Sequence, residues 1–376
     1  MQDGRPSRTA FGAAAYRAAH QMLDRGAIFP DPFALAVLGE SGDAAVAKRA
    51  DPSHQIMRLL IAARSRFADD ALSAAVARGV RQTVILGAGL DTFCLRNPHA
   101  NVGLHVYEVD HPATQAWKRS HLHRLGLKLL PSVTMAPVDF ERQRLADGLA
   151  SVGFQAERPA FFVWLGVVPY LTKEAISKTL EFIASIPASE VVFDYSEPLE
   201  NYDPERRAIV EARAANAASV GEPWISFFDP MVLSRELRQR TFEEVEDLGL
   251  AEIADLYFGR LVTEAIKPGP HLVHARRIGG LFGYGLQRLL WVHLVVLTIC
   301  RHFRFSPQGT NVAMSSGPVD VSNAGSVPTA STPRARPAGL SADRPAPRWL
   351  WRAASVSPGS VRSSWFAPDR AVPASL

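Results

Sequence analysis

The sequence predicts an α/β protein: a doubly wound, mostly parallel sheet with an N-terminal helical cap and an inserted lid. Three observations lead there. Between residues 82 and 195, short apolar runs alternate with helical patterns. The runs are apolar at nearly every position, as parallel strands covered on both faces require. A glycine turn, Gly87-Ala88-Gly89, follows the first run directly, where a strand hands over to a helix.

The elements follow in order. Ala13 to His20 is a strong helix former. Pro30-Asp31-Pro32 interrupts it, and Phe33 to Leu38 reads as a second, short helix. Leu59, Leu60, Ala63, Phe67, Ala71, Leu72, Ala75 and Val76 recur at three- and four-residue spacing, which predicts an amphipathic helix stopped by Gly79. Strands are expected at 82–86, 105–109, 132–138, 161–167 and 190–195, with helices at 113–125 and 172–186, the latter capped by Thr172. Residues 198–225 break the alternation and read as an insertion over the sheet edge. Asp229-Pro230 opens another helix, and 242–248 and 271–278 suit two closing strands, which an antiparallel orientation would fit. The expected division is a cap over 1–78, a core over 79–278 with the insertion at 198–225, and a low-complexity, disordered extension over 279–376.

Charge supports that division. The net charge of +4 is unevenly spread: residues 279–376 hold ten Arg, no Lys, three Asp and no Glu, a local +7 that leaves 1–278 at −3. The basic balance therefore belongs to the extension, and the acidic body excludes nucleic acid as the expected partner. The cleanest apolar run, Leu289–Cys300, is too short to span a bilayer comfortably. Two distant cysteines, Cys94 and Cys300, predict neither a disulfide framework nor a zinc site, and no His/Cys/Asp spacing predicts another metal. With no apolar leader at the N-terminus, the expected compartment is the cytoplasm. Oligomeric state has no signature.

The glycine turn carries the chemistry. A dinucleotide loop reads G-x-G-x-x-G, but here Thr92 takes the third glycine's place and Asp91 precedes it. An aspartate there would repel a pyrophosphate, whereas a cofactor without phosphate and with a cationic amino-acid end would suit it. The second strand ends Tyr107-Glu108-Val109-Asp110, and an acid at that tip accepts hydrogen bonds from ribose hydroxyls. The third ends at Asp139-Phe140, an acid and an aromatic ring suited to adenine. Glycine loop, ribose acid and adenine acid on successive strand ends fit S-adenosylmethionine.

Four stretches, LGAGLDT (86–92), YEVDHPATQAWKR (107–119), FVWLGVVPYLT (162–172) and GEPWISFFDP (221–230), resemble the leucine carboxyl methyltransferase-like family. The likeness is strongest to its bacterial, largely actinobacterial, branch of S-adenosylmethionine-dependent methyltransferases, and it covers about residues 5–278. It implies the class I methyltransferase (Rossmann-like) fold and cofactor contacts from Gly87, Gly89, Asp110, Asp139 and Phe140. It also implies an arginine that binds the cofactor carboxylate; Arg64 is the expected match and Arg66 the rival, with Arg8 near the entrance. One departure stands out. The family's fourth-strand Glu, in a pattern like EGxxxYL, is Leu165 here, and Glu197 is the acid that could replace it.

The expected reaction is methyl transfer to a carboxylate or hydroxyl oxygen of a small-molecule acceptor, an in-line displacement that depends on alignment. Tyr170, expected at the end of the fourth strand, is the candidate catalytic residue, orienting the acceptor or facing the sulfonium. Trp224, Phe227 and Phe228 are candidate walls of an apolar acceptor pocket. Two alternatives remain open at this level: a non-enzymatic module with a methyltransferase fold, and a nicotinamide-dependent oxidoreductase, against which the missing third glycine argues.

Overall fold

The computed structural model describes residues 7–139, 143–259 and 269–278. Phe140 and the extension 279–376 lie outside the described residues. The chain begins with α1 (Arg8–Leu23), capped by the Ser7 hydroxyl, which accepts from the Ala10 N–H. The expected second helix is a 3-10 turn over Ala36–Ser41, shifted toward the C-terminus, with residues 32–35 forming turns after the two prolines. After α2 (Gly42–Ala47) comes α3 (Gln55–Ala77), the predicted amphipathic helix. Gly79 follows it at φ +104°, a conformation glycine tolerates.

The core then alternates: β1 (Gln82–Leu86), α4 (Phe93–Arg96), β2 (His105–Asp110), α5 (Pro112–Arg124), β3 (Val133–Pro137), α6 (Leu145–Ala150), β4 (Phe161–Trp164), α7 (Lys173–Ser185) and β5 (Glu190–Tyr195). The insertion contributes α8 (Pro204–Ser219). Then come α9 (Pro230–Gln239), β6 (Glu244–Leu248), α10 (Leu250–Ile253) and β7 (His271–Arg276). The seven strands form one sheet in the order β3-β2-β1-β4-β5-β7-β6. The first five are parallel, and β7 runs antiparallel to both β5 and β6. This doubly wound sheet is the class I methyltransferase fold. β4 is shorter than its apolar run suggests, because Gly166, at φ +69°, turns the chain away.

Alternate residues of β1 show how the layers close. Val84 and Leu86 join Phe162, Trp164, Leu180 and Leu237 on one side of the sheet. Ile85 joins Leu59, Phe67, Leu72 and Phe161 beneath α3 on the other. A third cluster, with Ala14, Ala18, Val37, Leu90, Cys94 and Leu122, fastens the cap to the core. Among the described residues no helix is long and apolar enough to cross a membrane.

Candidate active site

The parallel strands present their C-terminal tips together, and the predicted residues gather there in two groups. The first surrounds β1 and β2. Gly87 and Gly89 take left-handed backbone angles, φ +66° and +45°. The Asp110 carboxylate lies across the loop, with Oδ2 accepting from the Gly89 N–H at 2.6 Å and Oδ1 from the His111 N–H at 2.7 Å. Burial pushes the Asp110 carboxyl upward, against the pull of those two N–H groups. At the neighbouring tip Asp139 lies 4.0 Å from His111 Nε2. The Val138 N–H donates to the Asp110 carbonyl, which fixes the two tips side by side. His111 caps α5 through Nδ1 and the Ala113 N–H, so it is a positioning group.

The loop's own N–H groups are committed inside the protein. Those of Gly87 and Ala88 donate to the Val109 carbonyl, that of Gly89 to Asp110, and that of Asp91 to the Ala88 carbonyl. The carbonyls of Leu90 and Asp91 are held by Arg17 and Lys118. Phosphate-binding loops work by turning free N–H groups toward the anion, and the N–H groups of Gly87, Ala88, Gly89 and Asp91 are not free for one. Asp91 caps the short helix after it, accepting from the Phe93 N–H at 2.7 Å. The glycines are required by packing: a Cβ on Gly87 would meet Val167 at 2.4 Å, and one on Gly89 would meet Ala10 of α1 at 2.9 Å.

The second group surrounds β4 and β5. Arg64 Nη1 bonds Asp194 Oδ2 at 2.9 Å, and the Gly166 N–H donates to the other oxygen at 2.5 Å. The guanidinium lies over Gly166, where a Cβ would come within 2.9 Å of it. Arg66 instead points outward to Asp70 on the exposed face of α3. Glu197 is engaged by His271 and Asn201. His271 takes it at 2.9 Å through Nε2 and Asp247 at 2.8 Å through Nδ1, and the Tyr195 hydroxyl donates to Asp247. Burial pulls the His271 imidazolium down, but Asp247 and Glu197 together outweigh it and the net shift is upward. The acid beside the loop is Asp194, which the sequence reading missed; its place on an apolar strand, opposite a helix arginine far away in sequence, carried no local signal. Tyr170 ends a 3-10 turn, Val168–Tyr170, beyond the end of β4. The insertion closes onto this turn, with the Ile225 and Ser226 N–H groups donating to the Pro169 carbonyl.

Phe227 and Phe228 line a hollow of about 320 Å³ between α7 and α9, with Lys173, Ile176, Val232 and Arg240. Trp224, Gly87, Gly89 and Asp110 are not part of its lining.

The residues at the tips fit an adenosyl cofactor without phosphate. Each Asp110 oxygen accepts one N–H and keeps lone pairs for hydroxyl groups, a second carboxylate stands at the adjoining tip, and four N–H groups of the loop are committed inside the protein. Comparison with known proteins agrees. Residues 10–184 match the family described as leucine carboxyl methyltransferase. A Mycolicibacterium paratuberculosis protein is 31% identical over 304 residues, which cover 72% of this chain and 95% of that relative. The chain belongs to the leucine carboxyl methyltransferase-like family. Bacillus subtilis YktD is 35% identical over 198 residues, 52% of this chain and 65% of YktD. Both relatives are named, provisionally, as S-adenosyl-L-methionine-dependent methyltransferases. Among solved structures, the magnesium protoporphyrin IX methyltransferase of Synechocystis with bound S-adenosylhomocysteine is 12% identical over 61% of this chain and 89% of that one, at a TM-score of 0.38. This family member is an S-adenosyl-L-methionine-dependent methyltransferase.

Proposed function

We propose that this methyltransferase acts on an oxygen of a small molecule in the cytoplasm, and that the oxygen belongs to a carboxylate. The observation that carries the choice is the state of the acids and imidazoles at the tips. Asp194 is held by Arg64 and Gly166, Glu197 by His271 and Asn201, and His111 by its capping bond. Each of these groups is already engaged by a partner within the protein, so none is offered as the base that a hydroxyl acceptor would need. A carboxylate arrives ionised and needs no base.

S-adenosyl-L-methionine supplies a methyl group made electrophilic by its sulfonium. In this reading Asp110 takes the ribose hydroxyls, and Asp139 with Phe140 takes the adenine. Arg64, already beside β4, takes the cofactor carboxylate while Asp194 steadies it. Gly87 and Gly89 let the loop fold tightly enough to present Asp110. Tyr170, between the fourth-strand loop and the returning insertion, orients the acceptor. The insertion and α1 exclude water, so alignment supplies much of the rate.

The test is a panel of small carboxylic acids, each paired with its alcohol, incubated with labelled methyl donor. The expected product is a methyl ester, released as methanol by mild alkali. Label found only in alkali-stable ethers would overturn the carboxylate reading.

A further inference from the structure

His271 opens β7 and pairs with Tyr195, the last residue of β5. Both of its ring nitrogens meet carboxylates. Nδ1 lies 2.8 Å from Asp247 Oδ1, and Nε2 lies 2.9 Å from Glu197 Oε1. An ionised carboxylate only accepts hydrogen bonds, and a neutral imidazole has one N–H to give. The two bonds therefore exist together only when the ring is an imidazolium. Loss of the proton turns a nitrogen lone pair against one of the two acids.

The surroundings set which bond yields. Asp247 sits within β6, opposite Val273 of β7, and its other oxygen accepts from the Tyr195 hydroxyl at 2.7 Å. Glu197 lies beyond the end of β5, and its other oxygen accepts from the Asn201 side-chain amide at 2.8 Å. A ring with a single N–H keeps it on the strand-held Asp247 and lets Glu197 go. The Tyr195 ring stacks on His271 with centroids 4.9 Å apart. Other titratable or charged groups at this corner are Tyr202, Glu252 and Arg206. Burial and then the Glu197 charge hold back ionisation of Tyr202. Glu252 of α10 flanks Gly249 together with the His271 ring, and the Arg206 guanidinium of α8 lies beside Gly269.

Glu197 is the last residue before the insertion. The far end of that segment is fastened elsewhere. The Glu222 carboxylate, just past α8, accepts from Ser7 Oγ at 3.0 Å, from the Arg8 and Thr9 N–H groups at 3.2 Å, and from the Thr9 hydroxyl. The Ser226 hydroxyl donates to the Leu171 carbonyl at 2.5 Å. Between these ends, only Arg206, Val210 and Ala217 of the sixteen residues of α8 are buried. With so little apolar packing, polar anchors decide how often such a segment opens. The His271–Glu197 bond is the anchor at its base.

We infer that His271 is a positioning residue for methyl transfer: as the imidazolium it clamps Glu197, and with it the base of the insertion, to β6, and on losing its proton it releases Glu197 and lets the insertion open. The inference rests on the proposed function, in which the insertion covers the acceptor beside Tyr170. Burial works against the charged ring, but Asp247 and Glu197 outweigh it and raise its titration. The closed insertion belongs to the acid side of that titration, and transfer weakens as pH rises through it.

The test is amide hydrogen exchange of the full chain between about pH 6 and about pH 9, corrected for intrinsic exchange rates. In the wild type, protection of the α8 amides should fall roughly ten- to hundredfold across that range, and should lie below that of the β1 amides throughout. Glu197→Gln should keep α8 protected at every pH, because an amide accepts from the charged ring and donates to the lone pair of the neutral one. His271→Phe should leave α8 as poorly protected at the acid end as the wild type is at the alkaline end. Should that variant not fold, Glu197→Gln still decides. Wild-type α8 protection that does not change with pH would overturn the inference, and so would an equal fall in Glu197→Gln. Protection of α8 equal to that of β1 would also overturn it, since the insertion would then open only with the whole fold and His271 would be structural. With an acid that the panel shows to be methylated, acceptor KM should rise over the same range in the wild type and stay level in Glu197→Gln; an equal rise in both would overturn the role in transfer. If no acid is methylated, the proposed function fails, and the exchange result still decides the clamp.

Discussion

Two regions of this protein bury charge in opposite ways. Under the glycine loop, Lys118 is 2% exposed and meets both Glu108 oxygens, at 2.8 and 3.0 Å. Burial works against its ammonium, but Glu108 outweighs it and raises the lysine. On the inner face of α8, Arg206 is similarly hidden and meets no acid among the described residues. The first arrangement is finished: it holds the Asp91 carbonyl and fixes the loop. The second leaves the Arg206 Nε without a hydrogen-bond partner. A buried charge with its partner beside it acts as a structural joint.

The strongest way to break the contrast is to orphan the finished pair. Lys118→Met leaves Glu108 buried and alone, and should cost about 3–5 kcal/mol in a urea melt. Glu108→Gln in the same chain should restore part of it. Arg206→Met removes a charge already alone and should cost nothing comparable.

Next in size is the loop itself. Gly87→Ala places a methyl 2.4 Å from Val167 at a left-handed backbone position and should cost about 1–3 kcal/mol. A loss below about 0.5 kcal/mol would mean that Val167 moves freely and the loop is looser than its hydrogen bonds imply.

Titration sharpens the comparison further. Burial favours protonation of Asp24, but hydrogen bonds from His20 and Arg58 outweigh it and hold the carboxyl at about 2. A lowered carboxyl stabilises the fold above the unfolded value and loses that contribution as pH falls toward the folded one. Thermal melts should therefore show about 2 kcal/mol disappearing between roughly pH 4 and pH 2, and Asp24→Asn should lack that segment. His271 behaves in the opposite sense. Its raised value stabilises the fold below about pH 6.5, and the contribution fades as pH rises through the folded value. His271→Gln should flatten the melting curve on that alkaline side. The smallest effect belongs to the exposed Arg66–Asp70 pair, where Arg66→Ala should change stability by less than about 0.5 kcal/mol.

Local patterns made most of the sheet legible. Apolar runs, Gly79 and the Thr172 cap each announce themselves within a few residues, and the capping bond from the Ala175 N–H to Thr172 Oγ1 forms as expected. The acids at the ends of β2 and β3 were legible as strand-end residues, and the Val138–Asp110 bond sets those two ends side by side. What stayed hidden depends on distant partners. Asp194 reads as an interruption of a strand until Arg64 and Gly166 arrive beside it. Glu197 looked free because His271, which takes it, lies 74 residues further along the chain. Arg206 carried no local signal, and only the packing of α8 buries it. The end of β4 was misjudged because composition does not announce the left-handed turn at Gly166.

The most direct measurement is a calorimetric titration of S-adenosylhomocysteine into Asp110→Asn beside the wild type, with melting temperatures recorded to show that both are folded. With the cofactor's sugar held by Asp110, the wild type binds and the folded variant is weakened roughly ten- to hundredfold. A folded Asp110→Asn that binds as tightly as the wild type would contradict the placement of the cofactor across these strand tips.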